Sequence, residues 1–286
     1  MTPPPQAGGV PQAGGVPQAP PGVDTATPTP ARLYDYYLGG TNNFEADRAL
    51  AERIRALVPE ISDSAWANRA FHQRAARWMA ERGICQFLDL GAGLPTQGNT
   101  HELVQQAQPG AHVVYVDNDP MVLGHARSLL AGAHGARFIQ ADLRDTESVL
   151  FNPELRELID FSEPVGLLIT GVMYFVADES DPWGIVARFV AATPAGSYLA
   201  LSHLTADSKP PRAVQEGQDV YARATENLHF RSRAQVARFF DGLQIVPAYP
   251  GADPAVSYVG EWGADDLSLA DGDDSRWLYC AVARRP

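Results

Sequence analysis

Cysteine is scarce in this chain: its 286 residues include only Cys85 and Cys280, far apart and without the spacing of a metal site or a disulfide framework. A reducing, cytoplasmic setting is the expectation they support. Basic residues are also few, 22 against 34 acidic ones, for a net charge of -12. That balance argues against general nucleic-acid binding, which draws on Lys and Arg to neutralise phosphates. The most apolar long segment, Pro164 to Ala177, falls short of the roughly twenty residues a bilayer span needs. Met1-Thr-Pro-Pro-Pro has neither the basic start nor the apolar core of a secretory signal, so a soluble protein with no membrane partner is expected. The acidic stretches Asp265-Asp266 and Asp271-Gly-Asp-Asp274 lack EF-hand spacing; they read as a solvated loop, and no metal site is expected.

What is present is enough apolar material, 45% of residues, for a sizeable core. Residues 1–28 stand apart, opening on a repeated Pro-Gln-Ala-Gly-Gly-Val unit that has too little to bury and reads as a disordered tail. Residues 29–83 read as a helical cap. Thr29-Pro30 is a helix start; Arg32 to Leu38 forms a short aromatic helix ended by Gly39-Gly40; Thr41-Asn42-Asn43 starts a second; and a third runs from about Ser62 to Arg82, with Trp66, Ala70, Ala76 and Met79 among its buried candidates. The cluster Tyr34, Asp35, Tyr37, Gly39, Gly40, Asn42 and Asn43 is polar and aromatic enough to form a lid over a ligand, with turn and packing roles as the alternative.

The organising stretch is Gln86-Phe-Leu-Asp-Leu-Gly-Ala-Gly-Leu-Pro-Thr96. An apolar strand collapses into glycines, and Asn99 with Glu102 makes a capping box for the helix that follows. Strand, glycine turn and helix together mark a nucleotide-binding unit. A dinucleotide fingerprint asks for a third glycine, but Thr96 stands there, after a Pro95 that has no N–H to offer a pyrophosphate. S-adenosylmethionine carries no phosphate and needs close backbone approach plus a few polar anchors, which suits Asp89, Gly91, Ala92, Gly93 and Thr96.

Residues 84–286 then alternate strand and helix. His112 to Val116 is a strand tipped by Asp117, Asn118 and Asp119, where Asp119 caps the next helix and leaves Asp117 to accept from both hydroxyls of a ribose. Arg137 to Ala141 ends on Asp142 and Leu143, candidates for an adenine amino group and ring. Val165 to Thr170 is the fourth strand, followed by Gly-Val-Met-Tyr-Phe175, and Ser197 to Leu204 the fifth. Ser208 to Asn227 looks helical, within a cap insertion at about 206–232, and Ser232 caps another helix through Phe240. Leu243 to Pro247 and Trp277 to Arg284 close the chain as an antiparallel pair. The expected fold is a doubly wound, seven-stranded, mostly parallel α/β sheet with an antiparallel last strand and an N-terminal helical cap.

Ala31 to Phe44, Asn68-Arg-Ala-Phe71 and Phe87 to Thr96 resemble a bacterial family named S-adenosyl methyltransferase, formerly listed as a domain of unknown function, and the likeness covers about residues 30 to 285. It implies a class I methyltransferase fold with S-adenosyl-L-methionine as cofactor, and it brings no substrate. Where that family commonly has a Leu-His-Phe type segment after strand four, this chain has Met173-Tyr174-Phe175, so no histidine role carries over there.

The resulting expectation is methyl transfer to an O, N or C atom of a small-molecule acceptor. Its rivals are a non-catalytic S-adenosylmethionine-binding module and an NAD(P)-dependent oxidoreductase. Candidate bases are His203, Tyr174 and His229. Candidate cofactor residues are Asp89, Gly91, Ala92, Gly93, Thr96, Asp117, Asn118, Asp142, Leu143, Thr170, Tyr34, Tyr37 and Asn43. Arg223, Arg231, Arg233 and Arg238 suggest an anionic acceptor or, alternatively, a solvated helix face.

Overall fold

The structure, a computed structural model, describes residues 19–20, 22–95, 98–130, 132–207, 209–267 and 272–286. Three helices come first: α1 (Pro30–Tyr37), α2 (Glu45–Leu57) and α3 (Ile61–Glu81). The body follows as β1 (Gln86–Leu90), α4 (Thr100–Ala107), β2 (His112–Asp117), α5 (Pro120–Leu130), β3 (Ala136–Gln140), α6 (Thr146–Leu150), α7 (Pro153–Leu158), β4 (Gly166–Thr170), α8 (Pro182–Ala192) and β5 (Tyr198–Leu204). The chain closes with α9 (Pro211–Tyr221), α10 (Arg233–Ala237), β6 (Gln244–Ile245), β7 (Ser257–Tyr258) and β8 (Leu278–Arg284).

The strands form one sheet in the order β3-β2-β1-β4-β5-β8-β6, with the two-residue β7 also on β8, so the described residues give eight strands rather than seven. β1 to β5 are parallel, while β8 runs antiparallel against β5, from Tyr198 opposite Arg284 to Leu204 opposite Leu278. Every residue of β1 is buried, as a strand covered on both faces must be. Phe87 faces Phe71 and Met79 of α3, while Leu88 and Leu90 join Val114, Val116, Leu167 and the residues of α7 and α8 on the opposite face.

Strand order reverses between β1 and β4, so a crevice opens beyond their carboxyl ends, the usual ligand position in such sheets. The glycine turn meets the Val172 side chain here: a Cβ on Gly91 would lie 2.5 Å from Val172 Cγ2, and Gly91 also has φ +74°, so any other residue would be strained in this turn. The cap closes the crevice from above through a separate apolar cluster of Leu33, Tyr37, Leu50, Ile54, Ala65 and Tyr221 that ties α1, α2 and α3 to α9.

Local signals explain most of the boundaries. Glu102 accepts from the Asn99 N–H at 2.8 Å to open α4, and Asp119 accepts from the Met121 N–H at 2.8 Å to open α5. Two expectations fail. Trp66 is 53% exposed, because the turn of α3 that carries it faces solvent. The helix expected over Ser208 to Asn227 is confined to α9, with Ser208 itself outside the described residues. Thr29-Pro30 opens α1 as expected, with Thr29 at the cap position, but the Thr29 hydroxyl makes no cap bond: it donates 2.7 Å to Asp119 Oδ2 and so ties the helical cap to the tip of β2.

Candidate active site

A cavity of about 510 Å3 lies between the sheet ends and the helical cap. Its floor is Asp89, the turn Gly91-Ala92-Gly93, and the tip of β2 from Val116 to Asp119. One wall is Thr170 to Val176, leaving β4; the roof comes from α1, α3, α9 and the segment around Glu226. Residues Gly22 to Thr27 run along its rim, where Asp24 and Thr27 offer backbone carbonyls to Arg32.

The glycine turn has spent its donors. Gly91 N–H and Ala92 N–H both go to Val116 O, at 2.8 and 3.1 Å, and Gly93 N–H goes to Asp117 Oδ2 at 2.8 Å. A pyrophosphate needs free amides at this point, so the turn offers it nothing. Asp117 Oδ1 takes the Asp119 N–H at 2.9 Å. Each Asp117 oxygen therefore keeps lone-pair capacity for an incoming hydroxyl. Burial raises Asp117 to about 6 against the pull of these amides.

Asp89 is buried beside it and raised to about 6, also by burial. A chain of side chains runs from this carboxylate to the cavity wall. Thr100 Oγ1 donates to Asp89 Oδ2 at 2.7 Å, His72 Nε2 lies 2.8 Å from Thr100 Oγ1, and His72 Nδ1 lies 2.8 Å from Thr170 Oγ1. With Asp89 ionised, Thr100 spends its only proton there and must accept from His72 Nε2–H. His72 Nδ1 then accepts the Thr170 hydroxyl proton. Burial lowers His72 to about 3, which keeps the ring neutral as this pattern requires.

Arg69, absent from the expected site residues, borders the floor of the cavity. Its Nη2 donates to Gly98 O at 2.9 Å, but its Nε is buried without a partner. A guanidinium donor left over in a ligand cleft suits a carboxylate. Nothing in the sequence marked Arg69 beyond its place in Asn68-Arg-Ala-Phe71, because only folding brings α3 over β1.

Of the expected cofactor residues, Asp89, Gly91, Ala92, Gly93, Asp117, Asn118, Asp142, Leu143, Thr170, Tyr34 and Tyr37 border the cavity. Thr96 lies outside the described residues. Asn43 does not reach the cavity: its amide donates to Asp35 Oδ2 and Gly40 O, closing the loop between α1 and α2. Gly40 is confined there by the same aspartate, since its Cβ would sit 2.1 Å from Asp35 Oδ1. Asp142 is engaged by Arg144, which binds both its oxygens, at 2.9 and 2.6 Å. Burial opposes ionisation of Asp142, but Arg144 outweighs it and holds the carboxyl below the ordinary range. Arg144 also reaches Glu226 at 3.2 Å, strapping the loop after β3 to the roof.

Two of the three expected bases are elsewhere. His203 is fully buried outside the cavity lining; its Nδ1 lies 2.8 Å from Leu204 O and its Nε2 2.6 Å from Arg231 Nη1. Both ring nitrogens are used, and burial lowers its pKa to about 3. His229 contributes its backbone N–H to Tyr174 O at 2.8 Å, and its side chain is not part of the lining. Tyr174 does border the cavity, but burial raises its hydroxyl, so it stays neutral. The four arginines of the 223–238 stretch are absent from the lining, Arg231 being buried beneath it and Arg238 stacked on Trp183 at 3.7 Å, which removes the argument for an anionic acceptor.

A family model described as S-adenosyl methyltransferase matches residues 17–286. The chain belongs to the S-adenosyl methyltransferase family. Two solved structures share its architecture. One is a DUF574 family protein of Streptomyces avermitilis, 39% identical over 92% of this chain and 99% of that one, with a TM-score of 0.85. The other is a protein of Thermobifida fusca, 38% identical over 93% and 98%, also with a TM-score of 0.85. Comparison with curated proteins gives no match. The methyltransferase uses S-adenosylmethionine, and the cleft suits it: a turn with no free amide for a phosphate, an aspartate with free lone pairs at the tip of β2, and an arginine Nε left without a partner among the described residues.

Proposed function

We propose that this methyltransferase moves the methyl group of S-adenosylmethionine to an oxygen or nitrogen of a small-molecule acceptor held under the helical cap. The observation that carries this reading is the spent amides of the glycine turn, closed by Asp117, beside a cavity that continues past the donor end into the cap. In this reading Asp117 accepts from the ribose hydroxyls, Leu143 packs the adenine, and Arg69 pairs with the amino-acid carboxylate. The bound cofactor supplies an electrophilic methyl on a positively charged sulfur.

The chain's own residues supply position and a proton route. The cap and the loop after β4 hold the acceptor in place, which alone lowers a bimolecular barrier substantially. A proton given up to Thr170 Oγ1 displaces the Thr170 proton to His72 Nδ1; the His72 Nε2 proton moves to Thr100, and the Thr100 proton to Asp89. That route replaces the histidine bases expected from sequence. A purely regulatory module would have no use for the cavity beneath the cap.

The Arg69 assignment is tested by comparing two ligands. Arg69→Met is expected to weaken S-adenosylhomocysteine about tenfold or more, the cost of one charge-assisted pair, while 5′-methylthioadenosine, which lacks the amino-acid end, binds as before. Calorimetric titration reads both; equal losses for the two ligands would reassign Arg69 to holding the loop through Gly98.

Affinity also has a direction with pH. Asp89 and Asp117 are raised to about 6 in the free protein, so both are ionised above that value and protonate below it. A ligand that donates hydrogen bonds to these carboxylates selects the ionised forms. S-adenosylhomocysteine affinity is therefore expected to be level from pH 7 to 8 and to fall below pH 6, by about tenfold per unit for each carboxylate that must ionise. Titrations across this range check the sign, and tighter binding at acid pH would contradict it.

A further inference from the structure

The half of the cavity beneath the cap has its own chemistry. Tyr34 and Tyr37 of α1, Tyr174 and Phe175 after β4, and Tyr221 at the end of α9 meet there. Phe175 and Tyr221 stack with centroids 5.9 Å apart at 27°, and Tyr174 stands edge-on to Phe175 at 4.5 Å. Burial raises the pKa of Tyr34, Tyr37, Tyr174 and Tyr221, and neighbouring tyrosine hydroxyls add to the rise at Tyr174 and Tyr221. All therefore stay neutral, and none can balance a charged ligand.

Among the described residues, the charges on the cavity lining are paired, lie exposed on the rim as Asp24 does, or belong to the donor end. Arg32 pairs with buried Asp47 at 3.0 Å, Arg144 with Asp142 and Glu226, and Arg69, Asp89 and Asp117 lie at the glycine turn. An ionised acceptor would lose its hydration in this chamber and find no counter-charge.

One hydroxyl buried at the chamber wall is unsatisfied among the described residues. Tyr34 donates to Ala65 O at 2.9 Å and accepts from Asn68 Nδ2 at 3.1 Å, but the buried Tyr37 hydroxyl has no partner. A buried hydroxyl left without a bond is costly unless something in the cavity supplies the acceptor. Aromatic walls on several sides favour flat, polarisable rings over a flexible chain.

We propose that the chamber takes an uncharged, planar aromatic acceptor whose oxygen receives a hydrogen bond from Tyr37. This rests on the methyltransferase reading above and names the substrate class of the same site.

The test uses the full chain saturated with S-adenosylhomocysteine, whose own affinity is measured first. Calorimetric titrations follow with 2-naphthol, naphthalene, 2-naphthoate and 1-decanol. The expected order places 2-naphthol first, with 2-naphthoate and 1-decanol at least about tenfold weaker, because one brings an unbalanced charge and the other a flexible chain. Tyr37→Phe is expected to weaken 2-naphthol by about two- to tenfold, the worth of one neutral hydrogen bond, and to leave naphthalene unchanged. Binding of 2-naphthoate or 1-decanol as tight as 2-naphthol overturns the inference, and so does equal binding of 2-naphthol to Tyr37→Phe and the parent chain. Absence of S-adenosylhomocysteine binding would instead overturn the donor-site reading, a separate outcome seen before any aromatic probe is added.

Discussion

Asp117→Ala is expected to lower S-adenosylhomocysteine affinity by roughly a hundredfold or more, since two charge-assisted hydrogen bonds of about 1.5–3 kcal/mol each are lost at once. The geometry makes this residue singular. Its two oxygens take the Gly93 and Asp119 amides at 2.8 and 2.9 Å, fixing the carboxylate in one orientation at the tip of β2 and orienting its remaining lone pairs in advance. Pre-orientation spares the ligand that ordering cost. The variant also frees the Gly93 N–H, so a thermal melt must accompany the titration to separate a lost ligand contact from a disturbed turn. A folded Asp117→Ala protein with parental affinity would end the ribose assignment and, with it, the explanation offered for the spent amides.

The parts of this site written in one stretch of chain were legible in the sequence. Strand, glycine turn and capped helix lie within residues 86–107, and Asp117 follows directly from the end of the next strand. Local signals of this kind depend on neighbours a few residues apart. Parts assembled by tertiary contact were not legible. Arg69 and His72 sit in a helix whose composition marks them only as polar positions; α3 becomes part of the site because Met79 and Phe71 pack it across β1 and β4. The same limit misplaced His203. A histidine at the end of β5 occupies a plausible catalytic position, and nothing nearby in sequence reveals that Arg231, twenty-eight residues on, folds back to occupy its second nitrogen.

The aromatic and polar cluster from Tyr34 to Asn43 shows both cases at once. Tyr34 and Tyr37 lie one turn apart on α1 and so share a face, which turns to the cavity. Asp35, Gly40 and Asn43 face the other way and close a loop among themselves, with Asp35 accepting from the Asn42 N–H and the Asn43 amide at 2.9 and 2.8 Å. Helical periodicity separates these two groups in principle. Which of them faces a ligand depends on where α2 and α9 pack, information that is not local.

Arg231→Ala carries the largest expected loss of stability, about 3–5 kcal/mol, because it leaves buried acceptors unpaired at about 1–3 kcal/mol each, while the half-exposed Asp178 regains water. The Arg231 guanidinium is nearly inaccessible, its side chain 1% exposed, and it is paired with Asp178 Oδ1 at 2.6 Å. It also donates to Met173 O at 3.1 Å, to Val176 O at 2.7 Å and to His203 Nε2 at 2.6 Å. Alanine would strand two buried carbonyls and a buried imidazole nitrogen in one place, where water has little access. At about 2–4 °C per kcal/mol for a chain of this size, the melting temperature should fall by roughly 10 °C. The two carbonyls flank Tyr174 and Phe175, so the damage should fall on the acceptor chamber while S-adenosylhomocysteine affinity of the folded fraction stays near parental. His203→Phe supplies the control: it removes the nitrogen but keeps a ring against Phe239, costing about 1–3 kcal/mol for the unpaired arginine donor. A melting shift of less than 2 °C for Arg231→Ala would show that the network contributes little to stability. A His203→Phe protein that melts like the parent would return His203 to the list of residues whose role lies in chemistry rather than in holding the wall of the chamber.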